Sequence, residues 1–334
     1  MIRKLWWIGC LVCLAVVARA QDPQFSQFYS APMYLNPAFA GNTIQSRMVA
    51  NYRLQWPSIP GRFVSYAASY DHNLAEINSG VALAIQHDKA GSAGLRYTNF
   101  AGMYAYNIRI SRTFALRTGV SMSYTLRDLN FSELVFGDQL INSTPTTASG
   151  ALNNAEQTSY PDISTGAVLY TRRFWGGISA HHINRPNQSL VGGETSLPIR
   201  WSVHAGLNVP TAKSRGRKIA PSFTFAFNYK AQAEWDQLDL VAYFTYRTVT
   251  FGLWYRGLPI KSNDSDQFNH DALIVLLGYK FNDLRIGYTY DLTLSDLLAN
   301  TGGAHELSLV YEFASPQNKR KRRRQRFVIP CAKF

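Results

Sequence analysis

The sequence predicts an all-β chain folded as a transmembrane, antiparallel, up-and-down β-barrel of about fourteen strands. Three observations carry this. Segments near the length of a tilted membrane strand, roughly 9–11 residues, recur with a two-residue alternation of apolar and polar side chains. That period puts the two sets on opposite faces of a strand. Aromatics make up 13% of the 334 residues, with 19 Tyr and 19 Phe, and charged residues only 16%; this composition favours strands and excludes a disordered chain. The connections between segments sort into long and short. No apolar run reaches the ~20 residues that a membrane-spanning helix needs.

The first twenty residues, MIRKLWWIGCLVCLAVVARA, start with Arg3 and Lys4, continue through an apolar stretch and end in Ala18-Arg19-Ala20. This is a signal peptide with an A-x-A cleavage site, so residues 1–20 are expected to leave and the mature chain to begin at Gln21; the alternative is a buried N-terminal helix. Cys10 and Cys13 would leave with the leader. Cys331 then remains as a single thiol, free or in an intermolecular disulfide, with or without a role. Residues 21–43 form an irregular segment punctuated by Pro23, Pro32, Pro37 and Gly41. Phe25, Phe28, Tyr29, Tyr34, Leu35 and Phe39 give it too many large apolar groups for a free tail. It is expected to dock inside a barrel, as a plug, or at its rim.

Residues 44–313 carry the strands. The expected runs are 45–55, 63–70, 80–87, 95–110, 114–126, 163–170, 174–183, 199–209, 219–229, 235–246, 249–256, 272–281, 284–292 and 304–313. The run 199–209 is very regular: Ile199, Trp201, Val203, Ala205, Leu207 and Val209 oppose Arg200, Ser202, His204, Gly206 and Asn208. In 219–229, Phe223, Phe225, Phe227 and Tyr229 oppose Ser222, Thr224, Ala226 and Asn228. In 304–313, His305, Leu307, Leu309, Tyr311 and Phe313 oppose Glu306, Ser308, Val310 and Glu312. A soluble sandwich gives such a pattern, and so does a barrel whose apolar face meets lipid around a wet lumen.

Connection lengths separate the two. Counted from the first strand, the odd gaps 127–162, 184–198, 257–271 and 293–303 are long and mostly polar. The even gaps 111–113, 171–173, 247–248 and 282–283 are short, the last being an Asn-Asp hairpin signal. The exceptions are 71–79 and 210–218, which are longer even gaps, and 230–234, a short odd one. Long loops at one end and short turns at the other are the outer-membrane asymmetry, with the short turns periplasmic. An even strand number would leave both termini in the periplasm. A sandwich has no reason to sort its loops this way. In hydrocarbon only a closed sheet pairs every backbone group of a strand. Trp56, Trp175, Trp235 and Tyr290 lie near strand ends and suit interfacial girdles, or are ordinary packed aromatics.

Residues 314–334 form a different kind of segment. Of the net charge of +13, three charges belong to the leader and eight to this tail, so the body is nearly neutral. Lys319, Arg320, Lys321, Arg322, Arg323, Arg324 and Arg326 form a self-repelling basic block, followed by an apolar end with Cys331 and Phe334. Export sets nucleic acid aside as a partner, although basic runs bind phosphates. Acidic lipid headgroups, an acidic periplasmic protein gripped through Cys331 and Phe334, and a solvated terminus remain open.

Catalytic and cofactor signatures are missing: no P-loop, no G-x-G-x-x-G, no G-x-S-x-G and no H-E-x-x-H. His181 and His182 are adjacent, so on a strand they face opposite ways. They, with Asp71-His72 and Asp88 at loop edges, read as solvated charge. Arg285, Asp291, Glu306 and Glu312 project from the polar faces of neighbouring strands and are expected to form a lumenal charge network. A carboxylate pair there would lack a nucleophile or a base. The chain is expected to be no enzyme and to bind no cofactor.

Two stretches resemble one known family. GYKFNDLRIGYTYDLTLSDL with GGAHELSLVYEF near the C-terminus, and DPQFSQFYSAPMYLNPAFAG near the start of the mature chain, are similar to the PorP/SprF outer-membrane proteins of the type IX secretion system of Bacteroidota. The basic tail resembles that family's ends too. The resemblance implies a non-enzymatic outer-membrane component of the secretion and gliding machinery. Its partners would be a periplasmic ring or scaffold component and a secreted cargo or surface adhesin, met through the long loops, 138–160 above all. A porin or substrate-specific channel is the alternative.

Overall fold

The computed structural model describes residues 22–91, 94–130, 157–190, 193–211, 220–262, 268–294, 301–313 and 329. Fourteen strands follow one another in the order β1 (Ser46–Gln55), β2 (Phe63–Leu74), β3 (Ser79–Ala90), β4 (Leu95–Arg109), β5 (Ala115–Asp128), β6 (Thr158–Tyr170), β7 (Phe174–His181), β8 (Arg200–Pro210), β9 (Ser222–Gln232), β10 (Trp235–Tyr246), β11 (Val249–Ser262), β12 (Phe268–Phe281), β13 (Leu284–Thr293) and β14 (Ala304–Phe313). Each pairs antiparallel with its chain neighbours. β1 also pairs with β14, from Ser46↔Phe313 to Gln55↔Ala304, which closes the barrel. The closed, antiparallel barrel of about fourteen strands read from the sequence is the observed architecture.

The alternation sorts the side chains as expected. Outward positions form an exposed apolar wall, with Met122 at 70% exposure, Leu83 at 68% and Leu277 at 60%. An exposed apolar surface of this extent suits lipid. Inward positions are buried and mostly polar: Arg47, Asn51 and Arg53 on β1, Ser121 and Thr125 on β5, Glu306 and Ser308 on β14. On β7 and β10 to β12 the inward face turns apolar through Trp175, Tyr243, Trp254, Ile274 and Leu276, all buried. The run from Ala272 to Leu277 is therefore apolar on both faces.

Four connections differ from expectation. The odd gap read as 257–271 shrinks to residues 263–267, because β11 runs on to Ser262 and β12 begins at Phe268. The even gap read as 71–79 is short, because β2 runs on to Leu74; a 3-10 turn at Ala75–Ile77 and Asn78 at φ 53° then lead straight into β3. The third gap shrinks to residues 91–94, where Gly91 and Gly94 take positive φ. The loop expected to reach Tyr160 ends earlier, since β6 begins at Thr158; residues 131–156 lie outside those described.

The chain before β1 lies within the barrel. A one-turn helix, α1 (Pro32–Leu35), starts on a proline at its first position, where a missing N–H is harmless. A 3-10 turn at Pro37–Phe39 follows, capped by Asn36, whose side chain accepts the Ala38 amide at 2.9 Å. Phe28, Tyr29, Met33, Leu35, Ala38 and Phe39 join Trp175, Tyr243, Trp254, Ile274 and Leu276 in one buried apolar cluster. The inward apolar patches of the wall are thus the surface against which the segment packs.

Candidate functional site

The lumenal segment from Asp22 to Asn42 runs from one end of the barrel to the other. At the long-loop end, Asp22 accepts from Arg200, the first residue of β8, at 2.7 Å and meets His182, which follows β7, at 2.8 Å. At the short-turn end, Gly41 packs against Gly80 and His72, and Arg117 donates to the Ala40 carbonyl. The Asn42 side chain there accepts the Ile329 amide at 3.2 Å.

Between these ends the segment's polar groups are matched to the wall. Glu306 on β14 accepts the backbone amides of Ser26 at 2.6 Å and Gln27 at 3.0 Å. The Ser26 hydroxyl donates to Asp291 at 2.6 Å. Arg53 bridges Asp291 at 2.9 Å and Glu306 at 3.3 Å, and Arg256 bridges Asp239 at 2.8 Å and Asp291 at 3.4 Å. Alternating charges from β1, β10, β11, β13 and β14 therefore converge on one turn of the segment. Such groups are costly to bury singly and tolerable only when paired and hydrogen-bonded. Further along, Trp175 donates its indole N–H to Tyr29 at 3.1 Å, Asn36 donates to the Ile178 carbonyl at 2.9 Å, and Ser179 donates to the Leu35 carbonyl at 2.9 Å.

Glycines on the inward face make the close approach possible. A Cβ at Gly119 would collide with the backbone of Ala38, one at Gly166 with the Asn36 amide, and one at Gly80 with the Ala40 carbonyl. Gly102, on the outward face of β4, meets nothing closer than a Leu83 methyl at 4.0 Å.

Above the segment, at the long-loop end, opens a vestibule of about 500 Å³. Asp22, Pro23 and Gln24 form part of its lining, beside Arg53, Arg127, Arg256, Asp88, Tyr97 and Tyr160. His182 holds the vestibule-lining Asp22 on Nε2 and Asp162 on Nδ1, at 2.8 and 2.9 Å. Burial disfavours the imidazolium, but the Asp22 charge and the hydrogen bonds to Asp162 and Asp22 outweigh it, and the His182 pKa is pushed up to about 9. Burial also opposes ionisation of Asp22, yet His182 and Arg200 hold its carboxyl well below the usual range.

Phe25, Phe28, Tyr29, Leu35 and Phe39 are all buried, and Tyr34 is half-buried against Phe25. The tail residues Lys319, Arg320, Lys321, Arg322, Arg323, Arg324, Arg326, Cys331 and Phe334 lie outside the described residues, as do Ala18, Ala20 and Gln21 at the leader boundary. Three readings are corrected. Asp71 is fully buried in an ion pair with Arg47 at 2.8 Å, and Asp88 is buried against the Ser65 hydroxyl. His181 and His182 are both buried, because the chain turns to φ 60° at His182 and leaves the strand alternation. Of the two readings open for Trp175, the packed aromatic holds: its side chain is buried in the lumen cluster. Proximity to a predicted loop signalled solvent for Asp71, Asp88 and the two histidines; the lumen wall extends further than the predicted strands did. Asp22, Ser26, Gln27 and Asn36 went unnoticed as contact residues. The one local signal was the loss of alternation at 272–277, which marks a wall that faces apolar chain instead of water.

Among the described residues no cluster of His, Cys, Asp and Glu has the arrangement of a metal site. The architecture is that of a membrane β-barrel with its own N-terminal chain packed through the lumen. A family model described as type IX secretion system membrane protein PorP/SprF matches residues 17–311, and the chain belongs to that family. This is a type IX secretion component of the outer membrane. No curated protein matches the chain. Among solved structures, the outer membrane protein Omp33 of Acinetobacter baumannii aligns at 8% identity and a TM-score of 0.45, over 82% of this chain and all of that one. The toluene transporter TodX of P. putida aligns at 9% and 0.45, over 84% and 93%. The monoaromatic hydrocarbon channel CymD aligns at 10% and 0.45, over 86% and 93%.

Proposed function

We propose that this barrel serves type IX secretion and gliding as a non-enzymatic docking component, closed to solutes by its own N-terminal segment. The observation that supports this is the match between the segment and the wall. The amides of Ser26 and Gln27 sit on the Glu306 carboxylate, and the wall places glycine where the backbone passes closest. A pathway for solute would have to break these contacts.

On this reading the chain carries a leader, residues 1–20, cleaved between Ala20 and Gln21. The short-turn end faces the periplasm. β1 starts and β14 finishes at that end, so the tail with its basic block, Cys331 and Phe334 leaves the barrel into the periplasm. There it meets a ring or scaffold component of the secretion apparatus. The long loops face outward, and the connection between β5 and β6 meets exported cargo or a surface adhesin. Purification from native membranes, without reductant, compares the full chain with one ending at Ser315. Secretion partners lost with the tail support the reading, and a barrel that purifies alone in both forms counts against it.

A substrate-specific channel is the second reading, favoured by the vestibule at the long-loop end. Planar-bilayer recording separates the two. A closed wild-type barrel that conducts after removal of residues 21–42 supports the docking component, and an open wild-type barrel supports the channel.

A further inference from the structure

We infer that the amino-terminal end of the mature chain is presented at the cell-surface mouth of the barrel, across the membrane from the start of β1. The inference rests on the orientation proposed above, long loops outward, and on leader removal before Gln21.

Direction is fixed by contacts at the two ends of the segment. Asp22 is held by His182 and Arg200, which flank the long connection between β7 and β8. Asn42 lies at the opposite end, next to the first residues of β1 and β3. The strand parity that puts the start of β1 in the periplasm therefore does not put the N-terminus there. The chain returns through the lumen, and Asp22, Pro23 and Gln24 help to line the vestibule that opens between the outer loops. This replaces the expectation that both termini lie on the periplasmic side.

The arrangement is built rather than incidental. Asp22 is pinned by a histidine and an arginine from two strand ends, and that histidine is itself pinned by Asp162. Midway, Gln27 is fully buried and donates to the Glu306 carbonyl at 3.3 Å, while its side-chain oxygen accepts the Ser308 hydroxyl at 2.6 Å. The segment is thus one covalent connection from the outer vestibule to the inner end of the barrel. A polypeptide entering the vestibule from outside would meet this chain's own first residues on its lining.

The test is an epitope inserted between Gln21 and Asp22, read by antibody on intact and on permeabilised cells. Matched insertions stand at Glu194, exposed in a long connection, and at Arg112, exposed in a short turn. Staining of intact cells for the N-terminal and Glu194 insertions, but not for the Arg112 insertion, is the expected result. If the Glu194 insertion stains and the N-terminal one needs permeabilisation, the inference is overturned while the orientation stands. If only the Arg112 insertion stains intact cells, the orientation fails and the inference with it. Where the tag prevents folding, Q21C in a Cys331→Ser background takes its place, with E194C and R112C as controls. Labelling by a large membrane-impermeant maleimide on intact cells is then expected, and protection of Q21C beside a labelled E194C overturns the inference.

Discussion

Asp22, which lines the vestibule at the long-loop end, meets His182 at 2.8 Å, with Asp162 2.9 Å from the other ring nitrogen. An imidazole flanked by two carboxylates donates from both nitrogens and so keeps its second proton. The folded pKa of about 9 stands above the ordinary 6.5. Stability from this contact is therefore complete below pH 6.5 and is lost as pH climbs through about 9. Asp22 has the opposite sign: its contribution is present above the ordinary 3.8 and falls away only in strong acid. Hydrogen exchange of residues 22–31, corrected for the intrinsic rate, is expected to show full protection below about pH 6.5 and progressive loss as pH rises toward about 9. His182→Gln, which carries no charge and has both its N–H donors on one nitrogen, cannot reach Asp22 and Asp162 as the two ring nitrogens do, and is expected to show the weakened state already at neutral pH, by about 1–3 kcal/mol. Protection that ignores both pH and the substitution would remove this contact from the account.

Gly166 and Gly102 are the same residue on opposite faces of the wall, and their substitutions are expected to diverge. Gly166→Val drives a side chain into Asn36 and so displaces the 3-10 turn at Pro37–Phe39. Overpacking of this kind costs about 1–3 kcal/mol, and much of it is relieved if the segment leaves the lumen. Raised conductance and faster proteolysis of residues 22–42 are expected for Gly166→Val, with Gly119→Val behaving alike. Gly102→Ala is expected to leave both unchanged. Equal behaviour of the inward and outward variants would mean that the segment does not occupy the lumen in the membrane.

Met122 sits halfway along β5 and is among the most exposed large side chains. In hydrocarbon, Met122→Arg is expected to destabilise the barrel by about 2–4 kcal/mol, measured by reversible unfolding from lipid vesicles. Met103→Arg is a different experiment, because Met103 is buried on the inward face against the segment. A negligible effect at Met122 would place water, not lipid, outside this wall.

The strands were legible because their period is local. Alternation at 199–209, 219–229 and 304–313 is recorded in each run by itself; together with less regular runs such as 95–110 and 272–281, bounded by turn signals, it located the fourteen strands. The contacts that fill the barrel are not local. Ser26 and Glu306 are 280 residues apart, and nothing near either one names the other. Asp71 looked solvated for a related reason: a polar residue facing a lumen and one facing water give the same pattern. Whether a polar inward face is wet or packed is decided by the segment that fills it. Only where the packed surface is apolar, as at Ile274 and Leu276, does the wall's own sequence record the difference.

Glu306 offers the most direct test of that packing. Its two oxygens accept the amides of Ser26 and Gln27, and Oε2 also faces Arg53 at 3.3 Å. Glu306→Gln keeps the shape but replaces one accepting oxygen with an NH₂ group. That group must confront a backbone N–H or turn toward Arg53, and neither arrangement restores the bond. One buried amide is left without an acceptor and Arg53 loses one of its counter-charges, while Asp291 still pairs with it. The expected loss is about 2–4 kcal/mol, concentrated in the segment, because the β13–β14 ladder is made by backbone groups that the substitution does not touch. Hydrogen exchange should therefore rise at residues 25–31 with little change along β13 and β14, and bilayer conductance should rise with it. A uniform rise over all the strands would identify Glu306 as a support of the barrel as a whole, and an unchanged profile would show that the segment is held elsewhere.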